Sequence, residues 1–190
     1  MEELTRGWGN FTLSKKENAG IVLPKAPKGK ELFLAAKFYT PRALNIRAMG
    51  RTFKLLWRCS DGFRIQNLND HKVLFVFEDV REVNRIVVGQ PWSFDKHLVC
   101  VQKYEKGSPM RSLSFKTTIF WVQVHDIPFH YMSTEVAETI CENVGEVVRS
   151  IGAETEEGGS FFRVRIRVDI TLPLCRGRLV TFEEGKRSWV

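Results

Sequence analysis

The residues best equipped for chemistry in this chain of 190 residues are cations set at regular intervals. Arg163, Arg165 and Arg167 alternate with Val164, Ile166 and Val168 inside the run 161–170. A strand sends alternate side chains to opposite faces, so the three guanidinium groups share one face and the apolar residues the other. Such a ladder of like charge is relieved by an anion lying across it, which is the chemistry of phosphate-backbone recognition. The competing reading pairs the ladder with acidic cross-strand neighbours, for which Glu146 and Glu154 are the candidates. A second row, Arg47, Arg51, Lys54 and Arg58, falls at i, i+4, i+7 and i+11 and therefore shares one flank of a helix. No acidic residue lies between 47 and 58 to neutralise it. This row is either a second phosphate-tracking surface or a solvated helix face.

Other chemistry is poorly served. His125, Asp126 and His130 lie close in sequence, but adjacent strand residues face opposite ways and imply no acid–base pair. No GxSxG, phosphate-binding Gly-rich loop, HExxH or GxGxxG run occurs, so no catalytic residue and no cofactor is expected. Cys59, Cys100, Cys141 and Cys175 are scattered, without a CxxC pair, so no metal site is expected. Scattered thiols, with no basic stretch and apolar core near the N-terminus, point to a reducing compartment, the nucleus or cytoplasm. The longest uncharged runs, 86–94 and 117–125, are far short of the roughly 20 apolar residues of a membrane span.

Two sets of elements have to position these rows. Residues 1–30, punctuated by Gly and Pro and ending in Lys25, Lys28 and Lys30, read as a flexible basic arm. Residues 31–38 read as a strand. A helix with Thr40 as N-cap and Pro41 in its first turn runs to Trp57, burying Ile46, Met49, Phe53, Leu56 and Trp57. Strands follow at 63–68 and 72–77, the second with Val73, Phe75 and Phe77 on one face. Asp79 and Glu82 form a capping-box-like start to a short helix ended by Gly89 and Pro91. Residues 97–104 complete a βαββαβ order, that of the ferredoxin-like fold shared by RNA-recognition motifs.

After a linker at 105–116, a second set reads βαββ: a strand at 117–125, a helix capped by Ser133, a strand at 146–153, a turn at 156–160 and the strand 161–170. One further short strand is expected at 178–183. Val136, Ile140, Cys141 and Val144 give the second-set helix its apolar face. The fold class is thus α+β, a domain over 31–104 and an extension over 117–190. Trp57, Phe75, Phe77, Trp92 and Trp121 sit in apolar patterns and are expected in the core. The strand 72–77 matches the aromatic RNA-binding strand poorly, since its outward residues are Lys72, Leu74 and Val76.

Charge is unevenly spread. The net charge is +7 and the pI about 9.4. Residues 31–60 hold six basic groups and one acid, whereas 117–160 hold one basic group and eight acids. A basic balance of this kind favours an anionic partner.

The motifs Leu55-Leu56-Trp57, Phe75-Val76-Phe77-Glu78-Asp79 and Gly89-Gln90-Pro91-Trp92-Ser93-Phe94-Asp95 stand in this order along the chain. Beyond them come residues 120–128, Gly145-Glu146-Val147 and residues 163–170. With these, residues 30–190 resemble the plant domain-of-unknown-function family 4283. That family occurs in the gag-like first-open-reading-frame proteins of plant LINE-type retrotransposons and in derived genes. Trp57 and Trp92 fill the places of its two marker tryptophans. The resemblance implies a nucleic-acid-binding or guiding role without enzymatic activity. A CCHC zinc knuckle usually follows the segment equivalent to 184–190, and the resemblance transfers no zinc site to this chain.

The expected function is sequence-tolerant binding of RNA or single-stranded DNA through the two basic rows, Arg47, Arg51, Lys54 and Arg58 with Arg163, Arg165 and Arg167. The alternative is a protein-interaction module that docks a partner, or a second copy, through its sheet or its acidic helix 133–144. The cysteine reading has a direct check. The purified chain is expected to hold no stoichiometric zinc by elemental analysis and to keep its melting temperature in chelator. One equivalent of zinc would overturn it.

Overall fold

The architecture is that of a computed structural model, which describes residues 21, 31–149 and 155–190. The basic arm with its lysines, Trp8, Glu154 and the end of the strand expected at 146–153 lie outside the described residues. Residues 31–190 form one compact unit, α+β, with antiparallel sheets and three α-helices among the described residues.

The first sheet follows from alternation. Its strands are β1 (Leu32–Phe38), β2 (Arg64–Asn67), β3 (Lys72–Phe77), β4 (Trp92–Phe94) and β5 (His97–Tyr104), in the order β2-β3-β1-β5-β4. Leu34, Ala36 and Phe38 of β1, Val73, Phe75 and Phe77 of β3, and Val99 and Val101 of β5 turn to one face. Two helices, α1 (Ile46–Trp57) and α2 (Val80–Val88), cover that face with Met49, Phe53, Trp57, Val83 and Ile86. Aromatic rings dominate this core. Trp57 is only 2% exposed and lies 4.4 Å from Phe53, 4.8 Å from Phe75 and 6.1 Å from Trp92, centroid to centroid. Phe75 and Phe77 are buried as expected, and Trp92 is half-buried against the same cluster, its indole N–H donating to the Ile86 carbonyl.

The helix ends differ from expectation in an instructive way. α1 starts at Ile46, not after Thr40. The Thr40 hydroxyl accepts from the Arg42 amide within a local turn, and Asn45 is the N-cap, accepting from the Ala48 amide at 3.0 Å. A capping side chain satisfies one of the helix's orphan N–H groups, and here Asn45 rather than Thr40 stands beside them. Leu56, expected in the buried stripe, is exposed. Asp79 caps α2 through the Arg81 amide, but Glu82 does not close the box. Its carboxylate is buried and accepts from the Ser60 amide at 2.7 Å, tying α2 to the turn after α1. Strand β4 forms a hairpin with β5 that the sequence pattern did not predict.

The second sheet is built on β9 (Phe162–Asp169), which pairs β6 (Thr117–Val124), β7 (Glu146–Val147) and β8 (Glu156–Glu157). Helix α3 (Thr134–Glu142) packs Ala137 and Cys141 on Val124, Phe162, Val164, Ile166 and Val168. Residues 156–157, expected in a turn, are strand, because they pair with Phe162 and Arg163. At Gly145 any Cβ would strike the Arg167 carbonyl, so the tight α3–β7 turn requires glycine. A small hairpin, β10 (Leu179–Thr181) with β11 (Arg187–Trp189), ends the chain, where one strand rather than two was expected.

The segment 105–116 is not a bare tether. It makes a 3-10 turn at Met110–Ser112 and buries Phe115 against Ala35, Leu74 and Cys100 on the outer face of the first sheet. Leu74 is thereby covered rather than displayed.

Trp57 carries the central prediction. Trp57→Ala removes the ring on which Phe53, Phe63, Phe75, Phe77 and Trp92 converge and should cost about 3–5 kcal/mol in urea unfolding. An unchanged unfolding midpoint would show that the aromatic cluster does not hold the domain together.

Candidate nucleic-acid interface

The helical row stands as a surface. Arg47, Arg51, Lys54 and Arg58 are all exposed, and none forms an ion pair among the described residues. They lie on one flank because Met49, Phe53 and Trp57 fix the opposing direction toward the core. Gly50, between the basic stripe and the core face, lies close to the Ile65 side chain of the edge strand β2. Helix electrostatics separates the four. Cations near a C-terminus complement the exposed carbonyls, which gives Lys54 and Arg58 an ordinary structural role. Arg85 of α2 strengthens that role by donating to the Trp57 and Arg58 carbonyls. Arg47 is different. It is the second residue of α1, where the macrodipole disfavours positive charge, and the first turn has no acid. Arg51, at mid-helix, has no capping role either.

The strand ladder is corrected. Arg163, Arg165 and Arg167 do share one face of β9, but they are not an open row. Arg163 pairs with Glu156 at 3.1 Å and Arg167 with Glu146 at 3.1 Å. Both acids sit directly opposite their arginines in the register, so the cross-strand reading prevails, with Glu146 as expected and Glu156 where Glu154, outside the described residues, was the candidate. Arg165 is 3% exposed. Its guanidinium donates to the Gln90 carbonyl at 3.0 Å and to the Val88 carbonyl, and burial pushes its pKa down. It remains charged, as arginine does in proteins. Trp121, expected in the core, is half-buried on the ladder face, with Arg163 and Arg165 5.3 and 5.5 Å from its ring. Cation–π attraction explains that place. The Arg165 contact was invisible in the sequence, since Val88 and Gln90 offer only backbone carbonyls, which carry no residue-type signal.

The buried thiols of Cys59, Cys100 and Cys141 are poor nucleophiles and ligands. Burial pushes Cys59 up to about 11, with Glu82 beside it adding to the effect, and burial likewise takes Cys141 to about 11. Both therefore stay protonated at neutral pH. Among the described residues no group of three or more His, Cys, Asp or Glu side chains is placed to hold a metal ion.

These features describe an α+β chain with one unpaired basic helix flank. Residues 30–111 match the family model Domain of unknown function (DUF4283), which supports the family expected from the motifs of that part of the chain. The match takes in the whole first sheet, both its helices, Trp57 and Trp92, and ends before β6. No curated protein and no solved structure matches the chain.

Arg165 separates structural from surface arginines. Arg165→Met should destabilise the protein by about 2–4 kcal/mol, because the carbonyls of Val88 and the buried Gln90 lose their charged donor. Arg163→Gln and Arg167→Gln should each cost less than about 1 kcal/mol. Thermal or urea unfolding of the three variants checks the ranking, and equal effects would refute it.

Proposed function

We propose that this chain binds single-stranded RNA or DNA through backbone phosphates, with the α1 flank Arg47, Arg51, Lys54 and Arg58 as the contact surface. The observation that carries the reading is Arg47. An unpaired arginine at an unfavourable helix position has no structural use among the described residues, and three more unpaired cations continue its row. Rows of cations neutralise phosphates and release counterions without reading bases. We read the first sheet as ferredoxin-like, a view supported by the order β2-β3-β1-β5 with both helices on one face. The aromatic platform of RNA-recognition motifs has no counterpart, since Leu74 and Ala35 lie under Phe115. The family resemblance favours a retrotransposon-related plant protein of this kind, non-enzymatic and acting in the nucleus or cytoplasm. Among the described residues no helix is long and apolar enough to cross a membrane.

A protein-docking reading is favoured by two exposed apolar side chains, Leu55 at 79% and Phe129 at 90%. The acidic helix supports it less, because Glu138 and Glu142 both bind Arg149.

The variant Arg47→Gln/Arg51→Gln/Lys54→Gln/Arg58→Gln removes four charges from an exposed flank. Its filter-binding affinity for single-stranded homopolymers should fall at low salt, and the slope of log K against log salt should shrink by about 3. The loss should be similar for different bases. An unchanged slope in a folded variant would remove α1 as the binding surface.

A further inference from the structure

On the opposite face of the first sheet from α1, Lys37 of β1 and Lys72 of β3 are direct cross-strand partners. Their neighbours Ala36, Phe38 and Val73 turn into the helix-covered core, so both lysines turn away from it. Like charges directly opposite each other are destabilising. No carboxylate neutralises this pair among the described residues: the Lys37 ammonium donates instead to the backbone carbonyl of Asp70.

Two further cations reach the same place from distant parts of the chain. Arg111, in the 3-10 turn, and Lys116, just before β6, line one open trough with Lys37 and Lys72. The trough has a volume of about 490 Å³ and no carboxylate in its lining. Neither Arg111, Lys116 nor Lys72 forms an ion pair among the described residues. Asp169 lies outside this lining; hydrogen bonds from the amide and hydroxyl of Thr171, with Lys116 beside it, hold its carboxylate below the usual range, so it stays ionised and offsets part of the Lys116 charge.

The rim is fixed in advance. The Tyr39 hydroxyl donates to the Phe115 carbonyl, the Phe115 ring is buried under the sheet, and the Ile170 amide donates to the Lys116 carbonyl at 2.8 Å. Ser114 adds a neutral polar residue to the lining. Four converging cations on a rigid frame with no acid between them form a site for an anion of several charges. Its open shape suits a chain passing through.

We propose that Lys37, Lys72, Arg111 and Lys116 bind the phosphodiester backbone of a single-stranded nucleic acid, as a second anchor separate from α1. The phosphate chemistry stands on the trough itself. The assignment of those phosphates to a nucleic-acid strand rests on the function proposed above.

Two probes and two variants of the full chain test it. In amide-resolved NMR, inorganic tripolyphosphate should shift the amides of Lys72, Ser114 and Lys116 in the unaltered protein. Lys72→Gln/Arg111→Gln should weaken that binding at least tenfold, and the four-fold α1 variant should leave it unchanged. With a single-stranded homopolymer, the trough variant should lower the salt slope by about 1.4, since two charges are removed at about 0.7 each. Absence of tripolyphosphate shifts at these amides would overturn the site. Shifts with tripolyphosphate but an unchanged homopolymer slope would overturn the nucleic-acid assignment. If the α1 variant keeps its slope while the trough variant loses part of it, the trough stands and α1 falls. The NMR measurement on the unaltered protein does not depend on either variant folding.

Discussion

A buried guanidinium joins the two halves of this molecule. Arg165 projects from the middle of β9 and donates to the carbonyls of Val88 and Gln90, where α2 gives way to β4. Burying a charge is costly unless its hydrogen bonds are met. The cost fixes the docking: if the second sheet moved away from that turn, the charge would lose its partners, and the carbonyls would lose theirs. Gln90 extends the joint, since its own amide donates to the Val87 carbonyl and the Thr118 hydroxyl approaches it from β6. Trp121 lies alongside, accepting two arginines on its ring.

This joint sorts the basic residues into kinds. Arg163 and Arg167, on either side of Arg165, take acidic partners from β8 and β7 and become part of the sheet's own charge balance. The cations of α1 have no such neighbours among the described residues, because their flank turns away from the core side chains Met49, Phe53 and Trp57 into solvent. The net charge of +7 is therefore unevenly spread. Among the described residues, cations without partners on α1 are where an external anion gains most.

The second half also changes what the first sheet can do. Phe115, Leu113 and Ile170 close over Ala35, Leu74 and Cys100, so the sheet is packed on both faces along much of its length. What stays open is its end, where the last pair of the register opposes Lys37, near the end of β1, to Lys72, the first residue of β3, and the crossing segment adds Arg111 and Lys116. The twelve-residue stretch 105–116 thus contributes both to the apolar cover, through Leu113 and Phe115, and to the cationic opening, through Arg111 and Lys116.

Much of this was legible in the sequence. The bounds of β3 and β5, the buried stripe Met49–Phe53–Trp57, the α3 cap at Ser133 and the apolar face of β9 follow from alternation, helical period and capping chemistry, which act between near neighbours. The basic flank of α1 followed from the same period. Spacing alone could not tell a free arginine from a paired or buried one. Arg163, Arg165 and Arg167 are equivalent in the sequence, yet one is bound to Glu156, one to backbone carbonyls of a remote turn and one to Glu146. Nor could spacing bring Lys37, Lys72, Arg111 and Lys116 together, since no local period links them. Local pattern determines which side chains share a face, because that depends on backbone geometry over a few residues. Tertiary structure decides what meets that face, because electrostatic partners and desolvation come from segments distant along the chain.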